Sequence, residues 1–172
     1  MPEPLSRRAA LAAGLSGAAA LALGATASGA AAEPDLGEAL TALVRAEQDA
    51  AFVYRTAALG GEAAALAEQE DEHARALSSQ LQALGLPLPA PRRTRSGLPP
   101  EALGVLEAGA GAQRLRAAAA YERTLIAGCA ARLGLLEEPG IVRTVATVMA
   151  SHAQHLALHE RGAGLDPLSS GG

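Results

Sequence analysis

The stretch from Met149 to Glu160, MASHAQHLALHE, carries three of the chain's four histidines within eight residues. The fourth, His73, lies in EDEHARAL, three residues after Glu70. On a helix that spacing sets a carboxylate beside an imidazole one turn apart. His152, His155 and His159 would share one helical face, within about 60° of one another. Neutral imidazoles and carboxylates together make a ligand set for zinc, iron or another divalent ion. Two more glutamates interrupt apolar helical stripes: Glu47 between Leu43 and Ala50, and Glu122 between Ala118 and Leu125. A buried charge without a partner is costly, so inward polar residues need one another or a metal.

Each of these residues also has a structural reading. Glu47 could reach solvent from its helix, and Glu70 could belong to a solvated acidic face that pairs with Arg75. Glu122 has Arg114, Arg116 and Arg123 as neighbouring cations. Tyr54, Tyr121 and Cys129 are expected in the core. What separates the two readings is whether the polar positions meet at one level of the fold, and the elements decide that.

Only three of the 172 residues are aromatic, and alanine dominates the hydrophobic fraction of 49%. Alanine favours helix and close helix packing, which predicts an all-α domain. Four helical blocks are expected after residue 33. The first covers about residues 36 to 59 and the second about 62 to 84, each closed by glycine. The third opens at Pro99-Pro100 and runs to about residue 134, kinked or frayed by Gly104, Gly109 and Gly111. The fourth follows Pro139-Gly140 and ends near residue 162. Within 62 to 84 the predicted inward stripe is Leu66, Glu70, His73, Leu77 and Leu84.

The connections are unequal. Residues 85 to 100, GLPLPAPRRTRSGLPP, include five prolines. Extended, they could span about 50 Å, against about 35 Å for the second helix. The segment can therefore return along the whole bundle and join two antiparallel helical hairpins. Under that topology Glu47 lies 11 residues past Leu36, and His73 lies 11 before Leu84. Glu122 lies 12 before Gly134 and His152 12 past Gly140. One layer then draws on all four helices. A simple up-down-up-down chain would displace Glu122 from His152 by about 18 Å.

The net charge of −4 offers no basic surface for nucleic acid, and the single cysteine rules out an intrachain disulfide. Ser6-Arg7-Arg8, a weakly apolar stretch and small-residue sites at Ala25-Thr26-Ala27 and Ala30-Ala31-Ala32 resemble a twin-arginine signal peptide over residues 1–32. The expected organisation is that signal, a bundle over 33–162 and a disordered tail over 163–172. Export to the periplasm or cell exterior is expected, with no stable membrane span after cleavage. The expected partners are the twin-arginine export machinery and a second copy of the chain in a homodimer.

AEQDAAFVYRTA, EDEHARALSSQLQALGLPLPAP, AYERTL and VMASHAQHLALHER together resemble the small exported ferritin-like domain proteins of bacteria, over about residues 34 to 161. The resemblance implies a ferritin-like four-helix bundle with a di-iron site. There, one glutamate comes from each of two helices and a Glu-x-x-His from each of the other two. Carried over, Glu47 and Glu122 are the single glutamates, Glu70 with His73 is one Glu-x-x-His, and His152 is the histidine of the other. Met149 stands where its carboxylate belongs, and a thioether cannot neutralise paired irons. His155 could partly substitute. His159, about 10 Å beyond the layer, is expected on an entry path or facing solvent.

The implied function is metal binding or iron-dependent oxidoreduction at a degenerate site holding iron or another divalent ion. Protons would compete with the metal below about pH 6.5. The alternative is a metal-free helical bundle that serves as a structural or interaction module.

Overall fold

The computed structural model describes residues 35–57, 59 and 63–165. The expected signal peptide, and all of the expected tail beyond residue 165, lie outside the described residues. Among the described residues the regular elements are five α-helices and no strand: α1 Leu36–Ala57, α2 Ala63–Ala83, α3 Pro100–Glu107, α4 Ala112–Leu133 and α5 Pro139–Gly162. The third expected helix is thus two helices. Residues 108–111 separate them: Ala108 turns extended, at ψ 144°, where α3 ends, and Gly111, at φ 72°, precedes α4 in a conformation that favours glycine.

Local chemistry explains the other ends. Asp35 Oδ1 accepts the Glu38 backbone N–H at 2.8 Å, capping α1. After α2, Gly85 at φ 70° lets Leu86 N–H reach Leu81 O at 2.9 Å while Gly85 N–H reaches Gln82 O. That pair of bonds satisfies carbonyls the helix leaves open. Pro100 opens α3 and Pro139 opens α5, where a missing N–H costs nothing. Glu138 caps α5 through Ile141 N–H at 2.8 Å. Arg114 donates to Ala57 O at 2.7 Å and to Ala108 O at 2.9 Å, tying the ends of α1 and α3 to α4.

Helix α1 packs along α2, and α4 along α5, while α3 rests on α4 and α1. Two apolar clusters fill the interior. One draws on the first half of α1 (Leu40, Leu43), the end of α2 (Leu77, Leu81), the end of α4 (Cys129) and the start of α5 (Ile141, Val145). The other draws on the end of α1 (Val53, Tyr54), the start of α2 (Leu66), the start of α4 (Ala118, Tyr121) and α3 (Ala102, Val105). Leu81, not Leu84, continues the inward stripe of α2: Leu81 is fully buried and Leu84 is 43% exposed. The helix turns Leu84 outward where it unwinds into its C-cap.

The segment 84–99 touches α1 at successive levels. A Cβ placed on Gly37 would meet Leu86 Cδ1 at 2.9 Å. Further along, Arg92 Nε pairs with Asp49 Oδ1 at 2.5 Å. Leu98 is then buried in the cluster at the far end of α1. No described helix is long and apolar enough to cross a membrane.

Candidate metal centre

Between the two apolar clusters lies a layer of carboxylates and imidazoles. Glu47 comes from the middle of α1, Glu70 and His73 from α2, Glu122 from α4, and His152 and His155 from α5. Glu47, Glu70, Glu122 and His152 are fully buried and His155 is 2% exposed. His73 is the most open, its side chain 14% exposed. All six residues named from the sequence are brought together. The three glutamates do not take their structural alternatives: Glu47 does not reach solvent, Arg75 bonds the Asp71 carbonyl instead of Glu70, and Arg123 pairs with Glu160 instead of Glu122.

His152 is central. Its Nδ1 lies 2.8 Å from Glu122 Oε2 and its Nε2 lies 3.1 Å from Glu47 Oε1. His73 Nδ1 lies 2.9 Å from Glu70 Oε2 and 3.3 Å from Glu47 Oε2. His155 Nδ1 lies 3.0 Å from Glu70 Oε1 and 3.5 Å from Glu122 Oε1. The other His155 nitrogen, Nε2, sits 2.6 Å from the Gln69 side-chain oxygen. As the donor in that bond Nε2 carries a proton, so in the neutral imidazole the Nδ1 lone pair faces the layer.

Several of these atoms lack a hydrogen-bond partner although they are sealed from water: Glu47 Oε2, Glu70 Oε1 and His155 Nδ1. Glu70 Oε1 and His155 Nδ1 are close, yet they are not aligned to bond each other. Atoms that share a cation at about 2.1 Å lie about 3.0 Å apart along an octahedral edge and about 3.4 Å apart along a tetrahedral one. Two groups of four gather candidate ligand atoms, one per residue, all within 4.8 Å of one another. They are Glu47, Glu70, His73 and His152, and Glu70, Glu122, His152 and His155. Glu70 and His152 are common to both. The buried acidic and histidine residues therefore cluster in a way that could hold a metal.

Without a cation the layer must balance its charge with protons. Burial works against charge on His152, yet its bonds to Glu122 and Glu47 push its pKa up to about 11. Burial likewise opposes charge on His73 and His155, and the carboxylates beside them carry both to about 9. Burial should raise the Glu47 pKa, but the His152 bond and the nearby His73 imidazole bring it down to about 2. Glu122 is lowered too: burial opposes this, and the His152 bond with the adjacent His155 imidazole outweighs it.

Two residues play parts that the sequence did not reveal. His159 is 3% exposed, not on the surface. Its Nε2 lies 3.9 Å from Glu122 Oε1 and has no hydrogen-bond partner, and its ring packs 5.6 Å from that of Tyr54. Burial, with His155 nearby, lowers its pKa despite Glu122. Tyr54 is more than a core residue, since its hydroxyl donates to Glu122 Oε1. Helical spacing placed Tyr54 inward, but which carboxylate it would meet depended on α4. Met149 packs half-buried against the apolar cluster one turn below His152 and adds no ligand to the layer.

No family model and no curated protein matches this sequence. The fold is similar to that of a hypothetical protein from Methanococcus jannaschii, seen in a crystal structure. The TM-score is 0.66 at 17% identity, over 85% of this chain and 86% of that one. At such low identity the likeness concerns the fold alone.

Proposed function

We propose that this chain is a ferritin-like four-helix bundle, exported through a twin-arginine signal, whose core layer binds a divalent metal, with iron the ion of choice. The topology we read is two antiparallel hairpins, α1–α2 and α4–α5, joined by a crossover along α1. Two observations support it. The core cluster holding the start of α1 also holds the ends of α2 and α4 and the start of α5. The segment 84–99 touches α1 first at Gly37, then at Asp49, and ends buried beside the end of α1.

One observation carries the metal reading: Glu70 Oε1 and His155 Nδ1 are buried, unpartnered and 3.0 Å apart. A carboxylate oxygen and an imidazole lone pair would repel at that distance unless a cation lay between them or a proton sat on the nitrogen. The donor set fits one ion well and a second less well. A neutral imidazole offers one lone pair, so His152 can complete only one of the two groups at a time. The other position then keeps three protein ligands, because Met149 supplies no carboxylate. Held by imidazoles and carboxylates, iron supplies redox chemistry with oxygen. The residues of the chain would hold the ion, neutralise it and exclude bulk water, and His73 at the open edge marks the way in.

The raised histidine pKa values favour a second reading, a metal-free bundle in which protonated imidazoles balance the three glutamates. Metal analysis of folded protein purified without a histidine tag separates the two. A divalent metal near one equivalent per chain, restored after chelation with a gain in melting temperature, supports the first. If no ferrous, zinc or manganese ion shifts the melt, the metal reading is refuted and the interaction module stands. Export and a homodimeric state belong to the same proposal. N-terminal sequencing of secreted protein should find a start near Ser28 or Glu33, and sedimentation should find two chains.

A further inference from the structure

A cavity of about 410 Å³ lies between α1 and α4, at the end of the segment 84–99 where Gly97 and Pro99 line it. Small-molecule sites commonly measure about 300 to 1,000 Å³. Leu43, Ala46, Leu125 and Cys129 form an apolar wall. Glu47 and Tyr121 complete that wall, but Glu47 Oε2 and the Tyr121 hydroxyl are sealed from solvent. They present carbon surface to the space.

Apart from the sealed Glu47 carboxylate, the charged side chains of the lining are Arg45, Asp49 and Arg132. Arg45 and Arg132 both line the cavity; Arg132 Nη1 donates to the Gly128 carbonyl at 2.9 Å, and among the described residues neither arginine ion-pairs with a carboxylate. Asp49, also in the lining, is already held by Arg92. The opening is therefore cationic over an apolar interior.

Gly128 on α4 lines the same space. A glycine inside a helix costs about 1 kcal/mol relative to alanine. Nothing in the backbone demands it, because Gly128 is not among the glycines of positive φ. Nor does packing, since a Cβ there would meet only Arg132 Nη1, at an ordinary 3.6 Å. What the missing side chain does is leave the groove open.

We propose that this groove binds a small amphipathic anion, its apolar body against Leu43, Ala46 and Leu125 and its carboxylate or sulfonate head between Arg45 and Arg132. The inference does not depend on metal occupancy. Glu47 belongs both to the cavity wall and to a candidate metal group. A bound anion would lie one side chain from the layer.

Fluorescence titration of the full chain with anilinonaphthalene sulfonate, which has this chemistry, tests the proposal. Saturable binding of one probe per chain is expected. Gly128→Leu should weaken it at least about tenfold without lowering the melting temperature, since it fills the space and improves the helix. The double variant Arg45→Gln with Arg132→Gln should weaken the sulfonate by a similar factor and leave the uncharged parent anilinonaphthalene unaffected. Should Gly128→Leu fail to fold, Ala46→Leu closes the groove from the facing helix and is judged by the same criterion. Non-saturable binding to the wild type, full affinity in the groove-filling variant, or equal affinity for the charged and uncharged probes would each overturn the proposal.

Discussion

At the scale of single residues, the two ring nitrogens of His155 set its role: Nε2 is anchored by Gln69 and Nδ1 is turned into the layer without a partner. If the layer binds metal, His73→Ala and His155→Ala should each reduce the metal-induced rise in melting temperature, because each removes a ligand from one group. His159 belongs to neither group, so His159→Ala should lower the melting temperature of both forms and leave the metal-induced difference intact. Met149→Glu should tighten ferrous binding by about tenfold or more by restoring a carboxylate. In a metal-free relic it would only destabilise the fold. Tyr54→Phe isolates another contact. It deprives buried Glu122 of a donor and should cost about 1–3 kcal/mol in chemical denaturation while metal is still bound. A neutral result would show that the Tyr54–Glu122 bond is not maintained in solution.

At the scale of elements, the register of α2 decides which leucines matter. Leu81→Ala should cost about 2–5 kcal/mol, as for a fully buried leucine. Leu84→Ala, at a 43% exposed position, should change stability by no more than about 0.5 kcal/mol. Equal costs would show that the helix does not unwind at Gly85 as described. Periodicity alone favoured Leu84 because spacings of three and four allow either residue once a helix nears its end. The Schellman bonds at Gly85 and Leu86, not the hydrophobic pattern, turn Leu84 outward. The break between α3 and α4 was legible only as a run of glycines. Whether glycine frays, bends or stops a helix depends on what the next turn packs against, here Arg114 reaching back to Ala57 and Ala108.

At the scale of the whole molecule, the layer couples charge to stability, and the sign follows from the shifts. His73, His152 and His155 have folded pKa values of about 9, 11 and 9, above the ordinary 6.5. Their contribution to the metal-free fold is fully present below about pH 6.5 and is lost as pH rises through those values. Glu47, held near 2, contributes above about pH 4.5 and loses that contribution only as pH falls toward 2. The metal-free melting temperature should therefore be highest between about pH 4.5 and 6.5 and decline toward pH 9. Metal reverses the trend, since it must displace the same protons. The metal-induced shift should grow from pH 6.5 to 9, not level off above 6.5 as ordinary imidazoles would imply. At saturation about a hundredfold above the dissociation constant the gain is about 2.7 kcal/mol. Melts at half-unit pH steps, with and without zinc, check both slopes, and a shift independent of pH would exclude His73 and His155 as ligands.

What the sequence determined by itself was local and periodic. Its alanine-rich composition made helices, and spacings of three and four put Glu47, Glu70, His73, Glu122, His152 and His155 on inward faces. The count from each helix end set them at one level. Those inferences hold because a helix fixes direction and rise per residue whatever surrounds it. Tertiary structure alone decided which atoms meet: that Glu122 takes Tyr54 and His152 instead of an arginine, that Glu70 lies between two candidate groups, and that His159 is buried. Partner choice depends on rotation and approach between helices far apart in sequence. A shift of one turn on α4 would have carried Glu122 about 5.4 Å out of the layer with its periodicity unchanged. The groove at Gly128 was invisible for the same reason, because an empty space has no residues of its own and exists only where α1 and α4 stand apart.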